Sequence, residues 1–483
     1  MQPIKLCFLA VAALLASCAE PPASVEDVTL PDCAAGAAMS DGTLAVNGGT
    51  LDYRACAGLL SIEGEAGKLL GTLFYTAYLA PSADGDPRPL SIVWNGGPGA
   101  DSRLLHFHAI GPRKLEEGEL VSNPASVLPA SDLVFLDPAG TGFSRAASDE
   151  AAEQLYSTTG DLAATVAFVR KFRRAYRRET SPLYLVGESF GTWRAAGAAE
   201  ALIDQGIPVD GIALVSGGIP LGDLPDRALS RALSLPNRVA VALAFGRLDE
   251  AWQADPEATL AEAERWARGT WYPALKDPAA VPAETRADIA ARLAAWHGLA
   301  VEQVDPETLW VSPRDFRTGL LAEGGETLDV FDMRKTGGAA AADDPGDTAI
   351  LSYYRDSLGY NAGFYAGIES EELPVGQSWQ YDQAPITEES LARALAGEGP
   401  PSPSQPWTLR AMRKAPDLRT WVAAGIYDSL NSCAANRAVV ADLPDDISRR
   451  ISLNCYKGGH MMYESDGVAA QFAADLSAFL QED

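Results

Sequence analysis

The residues Gly187-Glu188-Ser189-Phe190-Gly191 follow directly on the apolar run Leu183-Tyr184-Leu185-Val186. A serine set between two glycines at the end of a buried strand has the form of a nucleophile elbow, a sharp strand-to-helix turn that lifts the hydroxyl above the sheet edge. Side chains at the flanking positions would clash in that turn. Serine is a poor nucleophile until a base takes its proton. The chain holds four histidines, and His460, in Gly458-Gly459-His460-Met461-Met462, falls between the last strand-like run and a closing helical one. An imidazole acting as base needs an acid to fix its tautomer. Asp428 follows the run Thr420 to Ile426 directly and is the candidate, with Asp442 and Asp466 as rivals.

An acyl transfer at Ser189 also needs backbone N–H groups preset against the negative oxygen of the tetrahedral intermediate. One is expected from Phe190, the residue after the nucleophile, and the other from a loop after an earlier strand. Asn95-Gly96-Gly97-Pro98-Gly99 follows the strand-like Leu90 to Trp94, and Gly97 is the expected donor. No metal and no cofactor are expected. His106 and His108 stand two apart, with no carboxylate or cysteine at zinc spacing.

These residues must be carried by a sheet. Leu90 to Trp94, Asp132 to Leu136, Leu183 to Val186 and Gly211 to Val215 alternate with helical stretches such as Asp161 to Arg178. That alternation predicts a mostly parallel sheet covered on both faces. From about 220 to 410 the pattern turns helical, and it returns to strands at Thr420 and Arg450. The order Ser, Asp, His, each at a strand's C-terminal end, is that of an α/β-hydrolase. The expected organisation is a signal segment over 1–18, a tether over 19–39, an α/β-hydrolase core over 40–220, a mainly helical cap over 221–414, and the rest of the core over 415–483.

Residues 1–18 read as an export signal, with Lys5 before an apolar stretch too short to span a bilayer. Its end, Leu15-Ala16-Ser17-Cys18, resembles the lipobox of bacterial lipoproteins. That likeness implies lipidation at Cys18 and an envelope protein facing the periplasm. Cys33, Cys56, Cys433 and Cys455 then remain, and an even number in an exported chain suggests two disulfides. Three pairings are open to them, local pairing being the expectation and free buried thiols the alternative. The formal net charge of −27 argues against nucleic acid or anionic lipid as a main ligand. Membrane contact is expected only through the lipid anchor.

Taken in order, Trp94 to Gly99, Phe135 to Ser144 and Gly187 to Gly191 resemble successive signatures of the serine carboxypeptidase family, peptidase family S10, in its bacterial branch. The segments around Asp428 and Gly459 to Tyr463 extend the likeness. The resemblance implies removal of C-terminal residues from peptides, with Asn95 and Glu188 binding the substrate's free carboxylate. The family's second glutamate, two residues before a Gly-Pro pair, is here Ala109. Without that partner no shared proton is expected to raise the pKa of Glu188, and Arg103, His106 or Arg113 are candidates to bind the carboxylate instead. Ester hydrolysis or acyl transfer by the same residues is the alternative activity, and a non-catalytic envelope lipoprotein the third reading.

Overall fold

The structure is a computed structural model that describes residues 29–46, 48–82, 85–221, 226–337, 345–370, 374–382, 392 and 404–481. The export signal, its Cys18 and residues 19–28 of the expected tether lie outside these residues. The described residues form twelve strands. In chain order they are β1 (Ala38–Val46), β2 (Gly49–Glu63), β3 (Leu69–Leu79), β4 (Leu90–Trp94), β5 (Arg113–Glu116), β6 (Glu119–Ser122), β7 (Asp132–Leu136), β8 (Arg145–Ala146), β9 (Leu183–Glu188), β10 (Gly211–Val215), β11 (Arg419–Gly425) and β12 (Ile451–Tyr456). Strands β5 and β6 make a separate hairpin. The others form one sheet in the order β1-β2-β3-β7-β4-β9-β10-β11-β12, with β8 paired to β3. From β7 to β12 neighbouring strands are parallel.

The parallel strands are buried on both faces, which is why they read as unbroken apolar runs. Alternate residues of β9 divide between two cores. Tyr184 and Val186 join Phe135, Trp421 and Phe472 on one face, while Leu183 and Leu185 join Phe168, Phe172 and Trp407 on the other. Helices α1 (Asp149–Leu155), α2 (Thr158–Ala175) and α3 (Gly191–Asp204) follow in order. The buried Ala195, Ala196, Ala198 and Ala199 of α3 belong to the second core, and their small side chains let the helix pack close to its neighbours. Helix α2 begins three residues before the expected Asp161, because Ser157 accepts a hydrogen bond from the Gly160 N–H and caps it.

Between β10 and β11 the regular elements among the described residues are helical. The helices Leu235–Ala244 and Ala283–His297 bring Val239, Leu293 and Trp296 into a core of their own, joined by Trp271 and by Phe316 of the helix Pro313–Gly319. Among the described residues two disulfides are formed, Cys33–Cys56 and Cys433–Cys455, with Cα atoms 5.6 and 6.0 Å apart. The tether is shorter than expected. Cys33 is already stapled to β2, and β1 starts at Ala38 and pairs along its whole length. No helix among the described residues is long and apolar enough to cross a membrane.

The first disulfide fixes the start of the described chain to the sheet. Replacing Cys33 and Cys56 together by serine is expected to destabilise the protein by about 2–4 kcal/mol, seen as a lower urea midpoint. An unchanged midpoint would mean that the strand pairing holds this segment unaided.

Candidate active site

Ser189 has φ +57°, a left-handed conformation that is costly for a residue with a side chain. Its surroundings enforce it. The Ser189 N–H donates to the Val215 carbonyl at 2.8 Å, and its own carbonyl accepts from Thr192 N and Thr192 Oγ1. A Cβ on Gly187 would lie 2.0 Å from the Gly191 carbonyl oxygen. The elbow therefore closes only where glycine stands. Trp94 Nε1 donates to that same carbonyl at 3.0 Å and ties β4 to the turn.

The Gly-rich loop after β4 lies against the elbow. A Cβ on Gly96 would come within 2.5 Å of Phe190 N and 2.6 Å of the Glu188 carbonyl oxygen. Gly97 and Gly99 have φ values of +103° and +97°. Among the described residues the backbone N–H groups of Gly97 and Phe190 donate to no protein acceptor. They are thus available to an oxyanion. The loop is braced from beneath by Arg194 of α3. Arg194 is buried, donates to the Asn95 carbonyl at 2.9 Å, and pairs with Asp161 of α2 at 2.7 Å.

His460 Nδ1 and Asp428 Oδ2 are 2.8 Å apart, and both residues are buried. An ionised carboxylate can only accept, so Nδ1 carries the proton and Nε2 presents its lone pair. Nε2 has no hydrogen-bond partner among the described residues. Asp428 is fixed in turn, since its Oδ1 accepts from Leu430 N at 2.8 Å. The rivals Asp442 and Asp466 do not bond His460. Burial works against an imidazolium here. The hydrogen bond and charge of Asp428, with the charge of Glu188 added, more than offset it, so the His460 pKa lies above its usual value. The loop is pinned beside the elbow, because Ser216 Oγ, one residue beyond the carbonyl that holds Ser189, donates to the His460 carbonyl. Ser189 Oγ and His460 Nε2 are not hydrogen-bonded to each other.

Asn95 and Glu188 are brought together. Asn95 Oδ1 accepts from Leu105 N, which turns Nδ2 toward Glu188 Oε1 at 2.8 Å. The other Glu188 oxygen accepts from the Tyr463 hydroxyl at 2.6 Å. All three side chains are at most 2% exposed. Burial raises the Glu188 pKa, against the His460 charge and the hydrogen bonds from Tyr463 and Asn95, with Glu464 adding to the rise. This corrects the expectation from Ala109. Loss of the second glutamate does not leave the Glu188 pKa unraised, because desolvation alone disfavours the carboxylate. Ala109 itself is buried in the core.

The substitute carboxylate binders fare worse. His106 is fully buried, stacked between Phe107 and Phe135 at 3.7 and 4.0 Å, with Nε2 2.7 Å from the Tyr78 hydroxyl. Burial holds its pKa well below the usual value, so it is a neutral core residue. Arg103 is already paired with Asp101 and Asp347. Arg113 sits half-buried in β5. Tyr463 was not singled out from sequence. The one available signal was its place three residues after His460. No three His, Cys, Asp or Glu side chains among the described residues are grouped to hold a metal ion.

A mostly parallel sheet in this strand order, with a nucleophile elbow after β9 and an acid–histidine pair after β11 and β12, defines an α/β-hydrolase. Residues 47–206, the stretch that carries the Gly-rich loop and the elbow, match the model of the serine carboxypeptidase family, peptidase S10. The chain is similar to carboxypeptidase sxa2 of Schizosaccharomyces pombe, 33% identical over 159 residues, which are 30% of this chain and 29% of that protein. It is also similar to the pheromone-processing carboxypeptidase KEX1 of Debaryomyces hansenii, 34% identical over 121 residues, 24% of this chain and 17% of that one. The chain thus spans less than a third of the length of these relatives. Among solved structures it overlays that of Kex1(Δ)p, a prohormone-processing carboxypeptidase from Saccharomyces cerevisiae, at 16% identity, covering 89% of this chain and 90% of that one with a TM-score of 0.47.

Because Gly96 touches the elbow from the oxyanion side, Gly96→Ala is expected to cut labelling of Ser189 by a fluorophosphonate at least ~100-fold, the scale of losing an oxyanion donor. Labelling at the wild-type rate would show that the two segments are not mutually constrained.

Proposed function

We propose that the chain is a serine carboxypeptidase that releases the C-terminal residue of a peptide through an acyl-enzyme on Ser189. The observation that carries this is the His460 pair, with Nδ1 on Asp428 and an unpartnered Nε2 on a loop tied to the elbow. His460 takes the Ser189 proton as the hydroxyl attacks the carbonyl carbon. Gly97 and Phe190 N–H groups receive the oxyanion. His460 then gives the proton to the leaving amine and activates the water that frees the acid. The open Ser189–His460 contact agrees with such bonds being long in free enzymes and tightening with substrate. Support for peptide as substrate comes from the carboxypeptidase relatives and from the buried Asn95–Glu188 pair.

A fluorophosphonate should label the protein at Ser189 and leave Ser189→Ala unlabelled. A blocked dipeptide with a free C-terminus should be cleaved faster than its C-terminal amide. Turnover of a p-nitrophenyl ester without dipeptide turnover would instead favour an esterase or acyltransferase. One observation favours that second reading: Asn95 and Glu188 are already satisfied by each other and by Tyr463. Absence of labelling would leave the non-catalytic reading.

The directions of the two pKa shifts set a pH profile. His460 must be neutral to act as base, so activity falls as pH drops through its raised pKa. Glu188 must be protonated to accept a second carboxylate beside it. Activity on free-acid peptides therefore falls again as pH rises through the raised Glu188 pKa. The free-acid peptide should give a bell, and the ester only the ascending limb. Tyr463→Phe removes a donor that favours the carboxylate, so the descending limb should move to higher pH. An unmoved limb would show that Tyr463 does not bias Glu188.

For the N-terminal segment we propose export and lipid anchoring at Cys18, with the enzyme facing the periplasm of a bacterial envelope. The sequence of residues 1–18 supports this, and mass spectrometry of the mature N-terminus tests it.

A further inference from the structure

A second cluster of charge lies next to the acid loop and has no part in the steps above. Arg238, on the helix Leu235–Ala244, is only 3% exposed. Its Nη1 donates to the Val311 carbonyl at 2.6 Å and meets His297 Nε2 at 3.0 Å. His297 Nδ1 faces the Leu293 carbonyl at 2.8 Å, so the proton is on Nδ1 and Nε2 accepts from the guanidinium. His297 is buried, and with the Arg238 charge beside it its pKa is pushed down to about 3. It supplies no counter-charge. Arg238 Nη2 is closed off from solvent and has no hydrogen-bond partner among the described residues.

Arg231 stands nearby with its guanidinium exposed. Both guanidinium carbons lie 5.1 Å from the Trp310 ring centroid. Among the described residues neither arginine forms an ion pair, in a chain with 65 acidic residues against 38 basic ones. Both line a cavity of about 340 Å³ together with Trp310, Asn237, Asn431 and Asp428. The cavity also reaches Gly218, next to Gly217, where a Cβ would lie 2.9 Å from the Ser189 carbonyl oxygen. Asp428 spends its own carboxylate on His460 and Leu430 and is no partner for the arginines.

The Asp315 charge acts on the buried Arg238, whereas the exposed Arg231 has no ion-pair partner among the described residues. A planar carboxylate entering the cavity can take two N–H donors from the Arg231 guanidinium, which the Trp310 indole face holds in place, while the Arg238 charge behind it adds to the attraction. We propose that this cavity binds a carboxylate, presented by an acidic side chain of the peptide on one side of the cleaved bond. The side-chain source rests on the carboxypeptidase reading. A free dicarboxylate or phosphate would use the same chemistry.

The test uses the whole chain and changes Arg231, because Arg238 also anchors Val311. Blocked dipeptides carrying Glu, Gln or Leu on either side of the scissile bond are compared by kcat/KM. Glu should exceed Gln by about tenfold or more at one of the two positions. Arg231→Gln should abolish that ratio and Arg231→Glu invert it. In parallel, glutarate and inorganic phosphate are titrated calorimetrically into the wild type and Arg231→Gln. Anion binding lost in the variant, without a Glu preference, keeps the anion site and overturns the side-chain source. Binding of glutarate by a wild type that cleaves no dipeptide ends the carboxypeptidase reading and leaves the cavity's chemistry standing. Equal Glu and Gln ratios with no anion binding overturn the proposal.

Discussion

A serine held at φ +57° is in a conformation its own side chain opposes, by on the order of 1–3 kcal/mol. The neighbours of Ser189 must supply that energy, and they do so by leaving no alternative path. Gly187 and Gly191 meet so closely that no Cβ fits, Gly96 abuts the turn from the next strand, and Trp94 reaches over to hold the Gly191 carbonyl. Strand order follows from the same requirement. The turn needs β4 and β10 on either side of β9, and the Val215 carbonyl from β10 fixes the serine's N–H. The histidine loop then reaches the site through Ser216, the next residue along.

Glu188 shows how burial can stand in for a missing neighbour. A second carboxylate would have raised its pKa by like charge. Here removal from water has the same sign, and the two donors only moderate it. The phenol of Tyr463 differs from a glutamate in one respect that matters. It has no charge to add at neutral pH, its own ionisation being pushed well up by burial. The geometry around Glu188 is therefore fixed while its protonation is left to pH.

Much of this site was legible in the chain because strain and position leave marks in sequence. The elbow demands small residues at fixed places, and the acid and the imidazole must each follow a strand. What was not legible depends on direction and distance. Nothing in Met461-Met462-Tyr463 says which way a phenol points. His106 and Arg103 looked available because they follow the Gly-rich loop. However, the π-helical turn Leu104–Ile110 carries the first into an aromatic core, and Asp347, 244 residues away, takes the second. The long β2 and β3 leave little mark in the sequence, since a strand with irregular burial lacks a clean alternation.

The amide of Asn237 donates to the carbonyls of Gly425, Asp428 and Asn431 at 3.3, 3.1 and 2.9 Å. The helical insertion is therefore stitched to the backbone that sets the acid's position. It is not an interchangeable lid. A chimera that grafts another homologue's insertion onto this scaffold would have to bring a matching amide with it, and the diversification of the insertion is constrained at its first long helix more than at its tip.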